Sequence, residues 1–245
     1  MKPNDSNYHG QKANKAYFSV SQYKDFMKCE AMAMAKIRGE YKQPMTRALL
    51  VGSFVDAYFE GTLKQFMDEH PEIFTKKEAL RAEFKKANEI IARVKRDELF
   101  MKFMSGEKQK ILTAEMFGVK WKIKIDSYCE GVCIADLKVV RNFKSIPFWR
   151  YDIQGAVYQE ITRINTGTRL PFYLAAATKE KVTDFDIFQI PQDTLDFALS
   201  EVSGNIERYA AVKSGEVEPA PCGECDYCKS IKSAGIRSYN ELGGI

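Results

Sequence analysis

"KIDSYCEGVCIADLK", running from Lys124 to Lys138, sets two aspartates and two lysines in a stretch that is otherwise largely apolar and is interrupted at Glu130-Gly131. The alternation on either side of that interruption reads as the two strands of a hairpin, in which residues of equal parity share a face. The connection decides the register. A two-residue turn at Glu130-Gly131 would set Asp126 opposite Ala135, leaving Asp126 and Asp136 on opposite faces. A three-residue connection, Glu130 to Val132, with Gly131 available for the left-handed conformation of a bulge, sets Asp126 opposite Asp136 and Lys124 opposite Lys138. The odd positions Trp121, Ile123, Ile125, Ala135, Leu137 and Val139 then form one apolar face, so burial favours the register that also gathers the charges. Cys129 and Cys133 face each other beside the turn and read as small apolar fillers.

Two carboxylates directly across a ladder repel each other unless a cation lies between them. Mg²⁺ or Mn²⁺ suits such a site, because both prefer carboxylate and water oxygens. An ammonium group two residues beyond the second carboxylate can orient water or neutralise an anionic transition state. Metal-assisted hydrolysis of a phosphodiester accounts for all three groups. An edge hairpin whose Asp and Lys side chains make exposed ion pairs accounts for the same residues.

The rest of the chain frames this hairpin. Its 245 residues suffice to bury a core without covalent help, and 45% hydrophobic with 29% charged residues is ordinary for a globular protein. The formal charge of +4 is compatible with a polyanionic partner without demanding one. No apolar run is long enough to span a bilayer and no secretory signal precedes the first helix, so a cytoplasmic location is expected, with the six cysteines as thiols or metal ligands. Helical periodicity runs from Ser19 or Ser21 to Gly39, from about Thr46 to Gly61 and from Lys76 to about Met104. Period-two patterns occupy Leu112 to Val140, with "EMFGVKWKIKID" taken as a strand. "IPFWRYDIQGAVYQEITRINTG" returns to helical spacing, "PFYLAAATK" and "FDIFQIP" suggest two strands, and a last helix covers about Gln192 to Lys213. Residues 1–245 read as one domain, with 1–15 loose and a cysteine-rich segment at 219–245.

"KIDSY" followed by "IADLK" resembles the PD-(D/E)XK nuclease signature, Asp126 standing as the first acidic residue and Asp136-Leu137-Lys138 as the D-x-K. "YDIQGAVYQE" resembles the Gln-x-x-x-Tyr motif of the RecB-like branch through Gln154 and Tyr158, four residues apart on one helix face. "VGSFVDAYF" occupies the place of that branch's Gly-x-x-x-His motif, with Asp56 where histidine is usual. "SVSQYKDFMKCEAMA" together with "PCGECDYCKS" resembles nuclease domains in which one early cysteine, here Cys29, joins three late ones, here Cys222, Cys225 and Cys228. The C-x-x-C-x-x-C spacing is tighter than the usual late triplet.

The resemblance implies an α/β fold, a restriction-endonuclease-like core with a central mixed sheet flanked by helices. It implies a Mg²⁺-dependent (or Mn²⁺-dependent) DNA exonuclease, related to phage-type recombination enzymes and acting on linear double-stranded ends. A single-strand annealing protein is a partner it admits, and a homo-oligomer a state it allows. Asp56, Asp126, Asp136 and the carbonyl of Leu137 would hold the metal. Lys138 would position water, while Gln154 and Tyr158 would hold the DNA strand. The four cysteines would staple the ends of the domain, with a [4Fe–4S] cluster as the first expectation and Zn²⁺ as its rival. His9 and His70 receive no role. A noncatalytic DNA-binding or assembly module on the same fold is the competing reading.

Overall fold

A computed structural model of the protein describes residues 2–236. After α1 (Gln11–Ala16), the Ser19 hydroxyl caps α2 (Val20–Lys28) by accepting from the Gln22 amide. Cys29 then leaves the helical region, and its thiol caps α3 (Glu30–Arg38), which stops at left-handed Gly39. The single helix expected between Ser19 and Gly39 is therefore broken at Cys29, where an extended backbone turns the sulfur toward the C-terminal cysteines.

Thr46 and Gly61 bracket α4 (Arg47–Glu60), as the periodicity predicts. Two elements not read from the sequence follow, α5 (Leu63–Glu69) and a 3-10 turn at Pro71–Ile73. The long helix expected over 76–104 is two, α6 (Ala82–Val94) and α7 (Glu98–Phe103), because the Asp97 carboxylate caps the second by accepting from the Phe100 amide. β1 (Glu107–Met116) and β2 (Val119–Cys129) meet at Phe117-Gly118, both at positive φ. "EMFGVKWKIKID" thus contains a hairpin turn rather than one strand, since two successive positive φ values reverse the chain. β3 (Cys133–Val140), a 3-10 segment at Phe143–Trp149, α8 (Tyr151–Thr166), β4 (Phe172–Thr178), β5 (Phe185–Gln189), α9 (Gln192–Ser214) and α10 (Asp226–Ser230) complete the described chain.

The five strands form one mixed sheet in chain order, antiparallel except for β3 and β4, which run parallel with α8 as their crossover. Helices cover both faces. Tyr23 and Phe26 of α2, Ile153 and Val157 of α8, and Leu195 and Val202 of α9 pack on one side around Trp121, Ile123, Ile125 and Phe172. Phe54 and Val55 of α4, Phe84 and Ile90 of α6 and Phe100 of α7 pack on the other around Leu137, Ala175 and Ala177. Gly155 lets α8 approach closely: a Cβ there would lie 2.7 Å from Phe172 Cδ1 and 2.8 Å from Leu195 Cδ2. Among the described residues no helix is long and apolar enough to cross a membrane.

The hairpin adopts the three-residue connection. Cys129 pairs with Cys133, Tyr128 with Ile134 and Ser127 with Ala135, while Gly131 has φ +68°. The expected single apolar face does not form: Trp121, Ile123 and Ile125 belong to one core, Leu137 and Val139 to the other. The parity of β2 switches between Ile125 and Tyr128, where Asp126 lies opposite Gln109 and that position drops out of the β1–β2 ladder. Gln109 sits at φ +54°, a conformation that re-aims side chains as a bulge does.

The segment before α2 contributes buried side chains. Tyr8 and Ala13 are buried, and the fully buried Lys122 ammonium donates to the Tyr8 carbonyl and, at 2.7 Å, to Asn14 Oδ1. A buried ammonium needs such acceptors, and the segment before α2 supplies them.

Candidate active site

The β2–β3 ladder ends at Ser127 and Ala135, and the next residues on each strand are Asp126 and Asp136. Asp126 Oδ2 accepts the Leu137 amide at 3.0 Å, so a side chain takes a bond that a neighbouring strand's carbonyl would otherwise make. Its Oδ1 accepts from Gln109 Nε2 at 3.4 Å. Asp136 is 2% exposed; its Oδ1 accepts from Gln154 Nε2 at 2.7 Å. Asp136 Oδ2 is held in an ion pair by Lys138 Nζ. Lys138 Nζ also donates to the Leu137 carbonyl at 3.0 Å and sits 5.5 Å from the centre of the Tyr151 ring. The structure thus brings Asp126, Asp136 and Lys138 to one place.

α4 supplies Asp56, and Glu60 one turn later. Both line a cleft of about 460 Å³ together with Lys24, Gln109, Lys124, Asp126, Gln154 and Tyr158. Burial, with Asp126 and Asp136 nearby, holds the Asp56 carboxyl well above the usual range despite Lys138. Burial and Asp126 raise Asp136 too, against the opposing pull of Lys138. Burial alone would lower the Lys138 ammonium, but Asp136, Asp126 and Asp56 together leave it above an ordinary lysine. Asp56, Asp126 and Asp136 thus act together on Lys138, with Glu60 close to Asp126 and with Lys24 and Lys124 on the cleft wall. That gathering of carboxylate oxygens fits a divalent cation of the Mg²⁺ type.

Gln154 and Tyr158 share a face of α8 and both line the cleft. Here they engage protein groups: Gln154 holds Asp136, and the buried Tyr158 hydroxyl donates to the Lys124 carbonyl at 3.0 Å. The Lys124 side chain turns to Asp5 at 3.4 Å. Lys24, Glu60 and Gln109 were not singled out by sequence, and His9, which also lines the cleft, was given no role. Glu60 carried a signal, as the i+4 neighbour of Asp56, and Lys24 lies on the predicted first helix; Gln109 carried none, because its role depends on its left-handed backbone. Burial, then Lys124 and Lys122, lowers the His9 pKa beside this cleft. His70 ends α5 and pairs with Glu72.

At the periphery, Cys29, Cys222, Cys225 and Cys228 bring their sulfurs within 4.8 Å of one another, the one such group of potential metal ligands among the described residues. The part of the cysteine-rich segment at 237–245 lies outside those residues. Cys29 Sγ is 3.5 Å from Cys228 Sγ, and Cys222 Sγ is 3.9 Å from Cys228 Sγ. The Cys225 and Glu224 amides donate to Cys222 Sγ and pull that thiol down to about 6, while burial pushes Cys225 up to about 12. A single tetrahedral ion with Zn–S bonds of about 2.3 Å sets its sulfurs ~3.8 Å apart. A four-iron cluster, which binds each cysteine at a different iron, spreads them farther. The donor set suits a zinc ion or an iron–sulfur cluster, and the sulfur spacing lies nearer that of a single ion.

Residues 19–231 match a family described as a PDDEXK-like domain of unknown function. The crystal structure of a "Putative exonuclease" from Eubacterium rectale superposes with a TM-score of 0.96 at 48% identity, covering 100% of both chains. That of SSO0001 overlays at a TM-score of 0.33 with 12% identity, over 76% of this chain and 86% of that one, too weak to inform fold or function. No curated protein matches significantly.

Proposed function

We propose, because this chain belongs to the PDDEXK-like domain family, that it is a metal-dependent deoxyribonuclease acting exonucleolytically on the ends of linear duplex DNA in the cytoplasm. The observation that carries the reading is the meeting of Asp126, Asp136 and Lys138 where the hairpin ladder ends. The relative from E. rectale, named a "Putative exonuclease", supports it across the whole chain. Processing of ends for recombination, in a phage or prophage setting, is the role this activity would serve.

Asp126, Asp136, Asp56 and the Leu137 carbonyl would hold Mg²⁺ or Mn²⁺, with Glu60 beside them. The bound ion supplies Lewis-acid stabilisation of charge on the phosphoryl oxygens. Lys138 Nζ, fixed between Asp136 and the Leu137 carbonyl, orients the attacking water and offsets negative charge as phosphorus is attacked. Gln154 orients Asp136, and Tyr158 fixes the strand carrying Asp126. Zn²⁺ at the four cysteines would clip the segment after α9 onto α3. We prefer it to the iron–sulfur cluster expected from sequence because of the close sulfur spacing.

The test is hydrolysis of linear duplex DNA with Mg²⁺ or Mn²⁺. Asp136→Asn and Lys138→Ala should each lower the rate by on the order of a hundred- to a thousandfold. Unchanged rates in both variants would remove the mechanism. DNA binding that persists in EDTA, with no cleavage by the wild-type chain under any divalent ion, would favour the noncatalytic module.

A further inference from the structure

Phe148 and Trp149 are 84% and 54% exposed, side by side on the 3-10 segment that joins β3 to α8. Their rings are not needed by the core: the same segment turns Phe143 inward onto Phe188, 5.0 Å between ring centres, and Ile146 against the main cluster. The backbone that presents them is nevertheless held firmly. Asn142 Oδ1 accepts from the Ser145 amide at one end. At the other, Arg150 is clamped by Asp152 and by Glu201, the latter at 2.7 Å. Between them, the Trp149 carbonyl accepts from Lys24 Nζ at 2.8 Å.

Lys24 ties this segment to the candidate active site. It lines the cleft that holds Asp56 and Asp126, and its ammonium sits 5.3 Å from the centre of the Tyr151 ring, the ring that Lys138 approaches from the catalytic strand. The backbone that carries the aromatic pair is therefore tied to a residue of the cleft wall. Arg141 and Lys144, both exposed, lie on the same connection and would meet a phosphate backbone running past it. Flat, solvent-facing rings on a fixed backbone, flanked by cations, are what unpaired nucleobases stack on without regard to sequence.

We propose that Phe148 and Trp149 form a stacking platform for unpaired bases of single-stranded DNA at the mouth of the active site. This rests on the nuclease reading for its location. A duplex end engaging the cleft would then have its terminal bases parted from their partners and laid on the two rings.

Trp149 reports on its own occupancy. The chain has two tryptophans, and Trp121 is fully buried. Titrating the full-length protein with oligothymidylate, without added divalent ion, should quench tryptophan emission saturably, and an abasic strand of equal length and charge should not. Phe148→Ala and Trp149→Ala should each weaken oligothymidylate binding by at least fivefold, measured by anisotropy of a labelled strand, while Trp149→Phe stays within about twofold of wild type. Equal binding of normal and abasic strands, or alanine variants that bind like wild type, overturns the proposal. So does a dimer in sedimentation that both alanine variants dissolve with DNA affinity unchanged, since the rings would then be an interface between two copies. Quenching without any cleavage would leave the platform standing and remove the nuclease reading; cleavage without quenching would do the reverse.

Discussion

The carboxylates at the end of the β2–β3 ladder and the thiols at the edge of α3 set the same physical problem and meet it differently. Each crowds groups that cannot all ionise together without a cation. In the sheet, the chain provides a counter-charge of its own: Lys138 pairs with Asp136, the Leu137 amide donates to Asp126, and Gln154 donates to Asp136. Around the thiols, the donors to sulfur are backbone amides of Met32, Cys222, Glu224, Cys225 and Cys228. The acidic centre is thus pre-formed by protein groups, whereas the cysteine cluster has no cationic side chain among these donors and would rely on the ion proposed for it. A cation should accordingly tune the first and hold together the second.

Removing the protein's own counter-charge is the strongest way to break this contrast. Lys138→Met leaves Asp136 buried beside Asp126, and truncating one partner of a buried pair costs about 3–5 kcal/mol. Protonation of Asp136, whose carboxyl already sits above the ordinary range, limits the loss toward the lower figure. The melting temperature in metal-free buffer should fall by several degrees, and Mg²⁺ should recover more of it in the variant than in wild type. Equal melting temperatures without metal would mean that Lys138 is not what holds the acidic centre together.

The complementary test removes one thiol. Cys228 is buried and touches both Cys29 and Cys222, so Cys228→Ser should drop zinc content from about one ion per chain to well under half. Limited proteolysis should then open the chain after Ser214, the end of α9, while the sheet stays protected. Cys133→Ser, at a buried cysteine outside the cluster, serves as the control and should keep its zinc. A Cys228 variant with full metal content and an unchanged digestion pattern would dissolve the distinction between the two centres.

The two centres were also unequally visible in the sequence. The three-residue connection could be read from spacing and Gly131, and the Cys129–Cys133 pairing bears it out, but the ladder ends at Ser127 and Ala135, so Asp126 meets Asp136 beyond the paired residues and without the single apolar face that spacing predicts. The flanking helices at Thr46 and Gly61 were legible for a similar reason, cap residues bracketing a period. What spacing does not encode is a backbone excursion. Gln109 of β1, at φ +54°, lies opposite the point where the parity of β2 switches and the odd positions divide between two cores, yet a glutamine in a strand gives no warning of it. Cys29 interrupts a periodic run without glycine or proline, because a thiol serves as the cap. Phe148 and Trp149 fell within a helical pattern, and their exposure follows from the left-handed Arg150 that starts α8 after them rather than before.

Gln154 offers the finest probe of how far protein groups set the acidic centre in advance. Its amide bonds the same carboxylate that Lys138 neutralises, but through the other oxygen, so it contributes direction rather than charge. Gln154→Leu keeps the shape of the side chain and removes the donor, freeing Asp136 to rotate between its strand and the cleft. Partners that orient a ligating group typically contribute 10–100-fold in metal affinity. The Mn²⁺ concentration giving half-maximal cleavage should therefore rise by about that factor, while the rate at saturating Mn²⁺ changes less than tenfold and the melting temperature barely moves. A rate that stays a hundredfold down at saturating Mn²⁺ would place Gln154 in contact with the DNA during the reaction. Its hydrogen bond to Asp136 would then be a resting position that the substrate exchanges for its own.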